Sequence, residues 1–213
     1  MNMRSVLLSF LSLAILMSLA TSARSQTLVT FDDFDLSHAH AYSTNIPNGY
    51  QGLNWTNFGI VNGILQSSAL GGYLSGYNYG MVTPSNVAYN AFGNPAEIDS
   101  PGTNFSFLSA YLTGAWNSNL NIEVEGFNGA AEIYDTNVVA SATNPTLFTF
   151  NYLNINRLYF NSYGGELAGF GGGAGENFVM DNFDFEFIPE PSSLLLTALG
   201  GVSLVAFLKR KRG

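Results

Sequence analysis

The sequence contains no cysteine among its 213 residues. A chain without thiols forms no disulfide, no thiolate zinc site and no cysteine nucleophile, which excludes the enzyme classes that depend on them. Positive charge is also scarce: between Gln26 and Ile188, fourteen acidic residues stand against Arg157 alone, a net charge of −13. Such a segment repels phosphate backbones and attracts cations, so we expect no nucleic-acid partner.

The N-terminal segment has the order of features of a secretory signal. Arg4 precedes an apolar run from Val6 to Ala20, and small residues follow that run. Cleavage after Ala23 and cleavage after Ser25 both satisfy the small-residue requirement. We therefore expect residues 1–25 to be a signal peptide that is removed on export, with a retained N-terminal membrane helix as the alternative.

The C-terminal segment is an uncharged apolar stretch, residues 192–208, that ends in a basic cluster. The members of this cluster are Lys209, Arg210, Lys211 and Arg212. Because basic residues stay on the cytoplasmic side of a membrane, the order predicts a single C-terminal transmembrane helix with the preceding domain outside the cytoplasm. Gly200 and Gly201 weaken this helix, which favours a transient anchor over a permanent one.

Directly before the apolar stretch stands the tripeptide Pro189, Glu190 and Pro191. Two prolines hold the segment extended, as a protease requires. Together with the apolar helix and the basic end, the tripeptide resembles the PEP-CTERM sorting signal of Gram-negative bacteria, over residues 188–213. The resemblance implies an exosortase, a membrane-embedded cysteine protease that cuts near the motif, as a partner, and an association with extracellular polysaccharide and biofilm matrix. An ordinary single-pass anchor with a coincidental tripeptide is the alternative.

Residues 26–187 have the pattern of one all-β domain. Apolar residues alternate with polar ones over several segments, and turn signals such as Asn62-Gly63 and Asn128-Gly129 separate them. The predicted strands include 28–34, 53–60, 105–116, 120–125, 131–139, 147–150, 157–161 and 179–187. Many short strands at this spacing predict an antiparallel β-sandwich, jelly-roll-like, without a helix of useful length outside the two termini.

The two ends of this domain resemble the edges of jelly-roll domains of the carbohydrate-binding, galactose-binding-like type. The resemblance rests on the segments 28–34 and 178–183. It implies that the first and last strands lie side by side and share a structural Ca²⁺ ion. Asp32, Asp33 and Asp181 would supply the hard oxygen ligands that calcium prefers. The alternative is that these acids are solvated strand edges that discourage pairing with another chain.

Catalytic chemistry has weak support in the sequence. His38 and His40 are the two histidines, and their spacing would place both rings on one side of a strand, but no clear third metal ligand accompanies them. Glu123 and Glu125 share one strand face, as the two carboxylates of a glycoside hydrolase require, although any exposed strand with alternating acids has this spacing. We expect an exposed loop for the histidines and a solvated face for the glutamates.

Aromatic residues between 73 and 79 alternate with glycine and asparagine, which predicts an exposed cluster. Tyr73, Tyr77 and Tyr79 are therefore candidates for stacking on sugar rings. The leading hypothesis is an exported, non-enzymatic surface or matrix protein whose sandwich contacts polysaccharide or cations. An extracellular glycan-degrading enzyme is the runner-up, and a structural protein that assembles through its sheet edges is a third possibility.

Overall fold

The computed structural model describes residues 26–69, 71–171 and 173–188. The strands in these ranges are β1 Gln26–Val29, β2 Ser43–Asn45, β3 Asn54–Thr56, β4 Phe58–Asn62, β5 Asn86–Asn90, β6 Ala96–Asp99, β7 Phe105–Gly114, β8 Asn117–Ser118, β9 Leu120–Asn128, β10 Ala131–Ala140, β11 Thr146–Ile155, β12 Arg157–Tyr163, β13 Glu166–Leu167 and β14 Phe178–Phe187. The helices are α1 Gly63–Ala69 and α2 Gly76–Tyr79, and 3-10 turns cover His40–Tyr42, Tyr50–Gly52 and Ala91–Gly93.

Two antiparallel sheets build the fold. The larger sheet has the strand order β11-β7-β14-β5-β4-β2, with β1 paired to β14, and the smaller sheet has the order β10-β9-β12-β6-β3. Strands β13 and β8 form a separate two-stranded ribbon. The predicted all-β antiparallel sandwich is thereby confirmed. The expected neighbourhood of the first and last strands is confirmed as well, because Thr27 of β1 lies opposite Phe185 of β14.

The core lies between the two sheets and is rich in phenylalanine. Alternation decides which side chains enter it, since successive residues of a strand point to opposite faces. On β9, Leu120, Ile122 and Val124 are fully buried in the main hydrophobic cluster. From β7 and β14, the rings of Phe107 and Phe183 stack with centroids 4.9 Å apart. Both sheets thus contribute to one core, as their alternating sequences predict.

Three local features differ from the sequence-based expectation. The segment predicted as one strand over 53–60 is divided at Asn57, whose φ of 58° is left-handed, into β3 in the smaller sheet and β4 in the larger one. The segment predicted over 28–34 ends as a strand at Val29, because Phe31 has a φ of 63°. Two short helices, α1 and α2, occupy a stretch for which no helix was expected.

Several predicted features lie outside the described residues. These are the signal peptide over residues 1–25, the Pro189, Glu190, Pro191 motif, the transmembrane helix over 192–208 and the basic residues 209–212. Within the described ranges, no helix has the length and apolar character needed to span a bilayer.

Candidate functional site

Asp181, one of the predicted calcium ligands, is fully buried on β14 and fastens a neighbouring loop. Its carboxylate accepts hydrogen bonds from the backbone N–H groups of Val82 at 2.7 Å and Thr83 at 2.9 Å. The Thr83 hydroxyl and the backbone N–H of Asn182 also donate to it. Burial raises the pKa of Asp181 to about 6, because desolvation outweighs the donated hydrogen bonds, which lower the pKa.

Asp32 and Asp33 have separate partners. Asp32 accepts hydrogen bonds from the backbone N–H groups of Ser85 and Asn86, the latter at 2.9 Å. Asp33 accepts the phenolic hydrogen of Tyr50 at 2.7 Å. In the part of the chain that the structure describes, no group of three His, Asp or Glu side chains is placed to hold a metal ion. Asp32 and Asp181 instead anchor the two ends of the loop over residues 82–86, and calcium binding stays a prediction from the sequence.

The tyrosine cluster over residues 73–79 is only partly exposed. Tyr73 has 54% of its surface accessible, whereas Tyr77 has 5%. The Tyr77 ring meets Tyr89 and Trp116 edge-to-face, with centroids 5.4 and 5.6 Å away. The prediction that Tyr77 presents its ring to a ligand is therefore wrong, because helix α2 turns this side chain into a satellite core.

Tyr79 is half-buried and stacks on Phe170, with centroids 5.8 Å apart and planes tilted by 25°. One face of its ring is thus occupied by the chain itself. Tyr73 is the most exposed member of the predicted trio, although one edge of its ring lies against Gly171.

The two glutamates of the hydrolase hypothesis lie on the outer face of β9. Asn161 donates a side-chain hydrogen bond to Glu123 at 3.3 Å, and Asp135 lies directly opposite Glu125 on β10. The pKa of Glu125 is raised, first by partial desolvation and then by the negative charge of neighbours such as Glu132. Both glutamates are partly accessible on a polar sheet face, as the solvated-face interpretation expects.

The two histidines are exposed in the loop that leads to β2. Asp35, the nearest candidate for a third ligand, accepts hydrogen bonds from the hydroxyl and the backbone N–H of Ser37, and these bonds lower its pKa. His38 and His40 thus belong to a polar surface loop.

A cleft that the sequence did not predict opens beside the 3-10 turn Ala91–Gly93. It has a volume of about 370 Å³, at the lower end of the range of small-molecule sites. Its lining consists of Asn45, Ile46, Asn48, Trp55, Asn57, Phe58, Ala91 and Phe92. We call it the Phe92 cleft. Its lining carries no charged side chain, so polar recognition in it depends on asparagine amides.

Phe92 forms the outer wall of this cleft and has 92% of its surface accessible, the largest fraction among the large hydrophobic side chains of the described ranges. Its backbone has φ 58° and ψ 16°, in the left-handed region that phenylalanine seldom adopts. Leaving a phenylalanine in water forgoes about 2 kcal/mol of burial free energy, and the left-handed backbone costs roughly 1 kcal/mol more. An unfavourable conformation that the surrounding structure maintains is a recognised mark of a functional position.

Two asparagines hold the turn that displays Phe92. The Asn57 side-chain amide donates to the carbonyl oxygens of Ala91, Asn94 and Pro95, at 3.3, 3.2 and 2.9 Å. Asn90, which is fully buried, donates its amide to the Asn94 carbonyl at 3.0 Å. Because both ends of the turn are tied to the sandwich, the Phe92 ring is presented by a preorganised support.

The cleft floor combines apolar surface with amides. The Asn48 side-chain oxygen accepts the backbone N–H of Trp55 at 3.0 Å, which leaves the NH₂ group of Asn48 as a donor to a ligand. The Asn45 side chain has no hydrogen bond within the described residues, and because Asn45 is exposed its amide is accessible to a ligand. The Trp55 indole N–H donates to the Tyr50 carbonyl at 3.1 Å, which fixes the buried ring under the cleft. An aromatic wall with neighbouring amides suits a ligand that has an apolar face and a hydroxylated rim.

Phe92 does not stand out in the sequence, because most aromatic residues of a β-sandwich lie in its core. One signal was present: Phe92 is followed by Gly93, Asn94 and Pro95, which favour a turn. A large aromatic residue directly before such a turn lies outside any strand alternation, and its exposure follows from that position.

Comparison with known proteins gives low-level likenesses only. No family model and no curated protein matches the chain. Among solved structures, the K2 cleaved adhesin domain of Lys-gingipain has a TM-score of 0.41 and 13% identity over 78% of this chain and 99% of that one. A DUF4465 family protein from Bacteroides ovatus has a TM-score of 0.38 and 11% identity, with coverages of 78% and 95%. TmCBM61, solved with β-1,4-galactotriose, has a TM-score of 0.33 and 9% identity, with coverages of 68% and 95%. At these values the likenesses assign neither a family nor a ligand to this chain.

Proposed function

We propose that this protein is an exported, non-enzymatic surface or matrix protein that binds polysaccharide through the Phe92 cleft. The single observation that carries the proposal is the exposure of Phe92 on a strained turn that Asn57 and Asn90 fasten to the sandwich. The turn held in this way presents a flat apolar ring from a backbone that has little conformational freedom left to lose on binding. The adjacent amides of Asn45 and Asn48 supply donors and acceptors for hydroxyl groups.

Binding rather than hydrolysis is supported by the composition of the cleft. Glycoside hydrolysis needs a pair of carboxyl groups beside the scissile bond, and the cleft lining contains none. Glu123 and Glu125 are on a different surface, the outer face of the smaller sheet. The runner-up, a glycan-degrading enzyme, would therefore act at a site other than the one that offers a stacking platform.

Affinity electrophoresis of the full-length protein in gels that contain single polysaccharides tests the binding proposal. We expect retarded migration in at least one gel, unchanged polymer length, and loss of the retardation in Phe92→Ala. The matched control is Leu167→Ala, which truncates another exposed hydrophobic side chain outside the cleft lining and should migrate like the wild type. Release of reducing sugar that disappears in Glu123→Gln would replace binding by hydrolysis as the function.

Delivery to the outside is the second part of the proposal and rests on the C-terminal sequence. The Pro189, Glu190, Pro191 motif with the basic residues 209–212 supports sorting by an exosortase-type protease. Mass spectrometry of the mature protein from its native host should find a C-terminus near the tripeptide. Recovery of the chain with residues 194–208 still attached would contradict processing, and recovery from the cytosol would contradict export.

A further inference from the structure

We infer that the Phe92 cleft selects uncharged sugar units and rejects glycans that carry carboxylate or sulfate groups. This inference rests on the proposed function and adds the chemical class of its ligand. It depends on three features of the described residues: the negative charge of the surface, the pairing of Arg157 with a glutamate, and the uncharged hydrogen-bonding groups that line the cleft.

The surface charge opposes an anionic ligand. Between Gln26 and Ile188 the net charge is −13. One of these acids, Asp99 on β6, has no ion-pair partner within the described residues and lies opposite Asn54, the residue before Trp55 of the cleft lining. An anionic polymer would approach this region against a field of its own sign, at a free-energy cost that salt would reduce.

No arginine or lysine in the described ranges is free to pair with an anionic ligand. Arg157 forms an ion pair with Glu97, with Nη1 and Oε2 3.1 Å apart. Its guanidinium also lies over the Phe127 ring, 4.0 Å from the ring centroid. Proteins recognise carboxylate and sulfate groups mainly through arginine and lysine, and this arginine is already used on the outer face of the sheet.

The cleft itself offers the groups that an uncharged sugar needs. The ring of Phe92 supplies apolar contact to the C–H face of a sugar ring, and the amides of Asn45 and Asn48 can pair with hydroxyl groups as donor and acceptor. A carboxylate in place of a sugar's primary alcohol would lose its hydration and gain neutral amide donors only. That exchange is unfavourable, because a charge taken from water needs a paired charge.

A matched pair of polymers tests the inference on the full-length protein. The probes are galactomannan and hydroxyethyl cellulose, each before and after oxidation of its primary alcohols to carboxylates, with alginate as an unrelated anionic polymer. Affinity is measured by electrophoretic retardation at 20 and 500 mM salt. We expect oxidation to weaken binding about tenfold or more at low salt, and high salt to change the affinity for the unoxidised polymer by less than about twofold.

The outcomes separate the inference from the proposed function. Loss of neutral-polymer binding in Phe92→Ala, with binding retained in Phe92→Tyr, places the selectivity at the aromatic platform and supports the inference. Equal or tighter binding of the oxidised polymers, or binding of alginate alone, overturns the inference while polysaccharide binding stands. Calcium-dependent binding of the oxidised polymers also overturns it, because the ion would then bridge two negative surfaces. Absence of binding to every polymer overturns both.

Discussion

Replacing Phe92 by glycine should remove binding without destabilising the protein. The wild-type residue has a left-handed backbone, which costs a non-glycine residue roughly 1–2 kcal/mol, whereas glycine adopts it freely. Glycine also lowers the free energy of unfolding by roughly 0.5–1 kcal/mol, because it gives the unfolded chain more conformational freedom. Because 92% of the Phe92 surface is accessible, truncation sacrifices little burial. The free energy of unfolding of Phe92→Gly should therefore lie between the wild-type value and about 1.5 kcal/mol above it.

Phe92→Ala is the matched variant, since it removes the same ring but keeps a Cβ atom on the left-handed backbone. Alanine normally stabilises a chain relative to glycine, by about 0.4–1 kcal/mol. At this position the order should be reversed, with Phe92→Gly more stable than Phe92→Ala by about 0.5–1 kcal/mol in denaturant unfolding. Both variants should lose polysaccharide retardation. A Phe92→Gly variant that is destabilised by more than about 2 kcal/mol would show that the ring packs against the fold and is not an exposed platform.

Three further predictions concern the supports of the fold and the site. The raised pKa of Asp181, about 6, means that its protonated form is favoured by folding, so its contribution to stability is fullest below pH 4 and is lost as the pH rises through 6. The stability of the wild type relative to Asp181→Asn, measured by denaturant unfolding, should therefore fall by about 2–3 kcal/mol between pH 4 and pH 7, and a rise would contradict the assignment. Gly76→Ala should destabilise the protein by at least about 2 kcal/mol in the same assay, because the new Cβ would collide with a backbone carbonyl of β7, whereas Gly102→Ala, in open space, should be neutral. Asn57→Gly keeps the left-handed backbone but removes three hydrogen bonds to the displaying turn, so glycan affinity should fall about tenfold in gel retardation, and unchanged affinity would show that the turn needs no such support.

The strands that the sequence predicts well are those with one buried and one solvated face. On β9, Leu120, Ile122 and Val124 alternate with polar residues, and burial follows that alternation because the sheet leaves each side chain only two directions. The antiparallel sandwich follows from many such segments, whereas the pairing of β1 with β14 is implied by the resemblance of the domain's two ends to jelly-roll edges. Strands can be predicted from the sequence where the alternation of apolar and polar residues alone determines which face is buried.

Features set by contacts between distant segments could not be predicted in this way. The division of a predicted strand at Asn57 depends on the carbonyl oxygens of residues 91–95, which lie more than thirty positions along the chain. The burial of Tyr77 depends on the close approach of Gly76 to β7, where no Cβ fits. The sequence after Phe92 indicates a turn, but the hydrogen bonds from Asn57 that hold this turn come from a distant strand junction. In each case the structure depends on a contact between residues that are far apart in the sequence, and a single sequence does not indicate which residues make that contact.

Glycan binding at the Phe92 cleft can be tested directly by a nuclear magnetic resonance titration of the full-length protein in detergent micelles with an oligosaccharide of the polymer that retards it. We expect the largest shift changes at the Phe92 ring and at the side-chain amides of Asn45 and Asn48, saturating together with one dissociation constant. Shifts confined to the outer face of the smaller sheet, around Glu123 and Tyr159, with the Phe92 resonances unchanged, would contradict it.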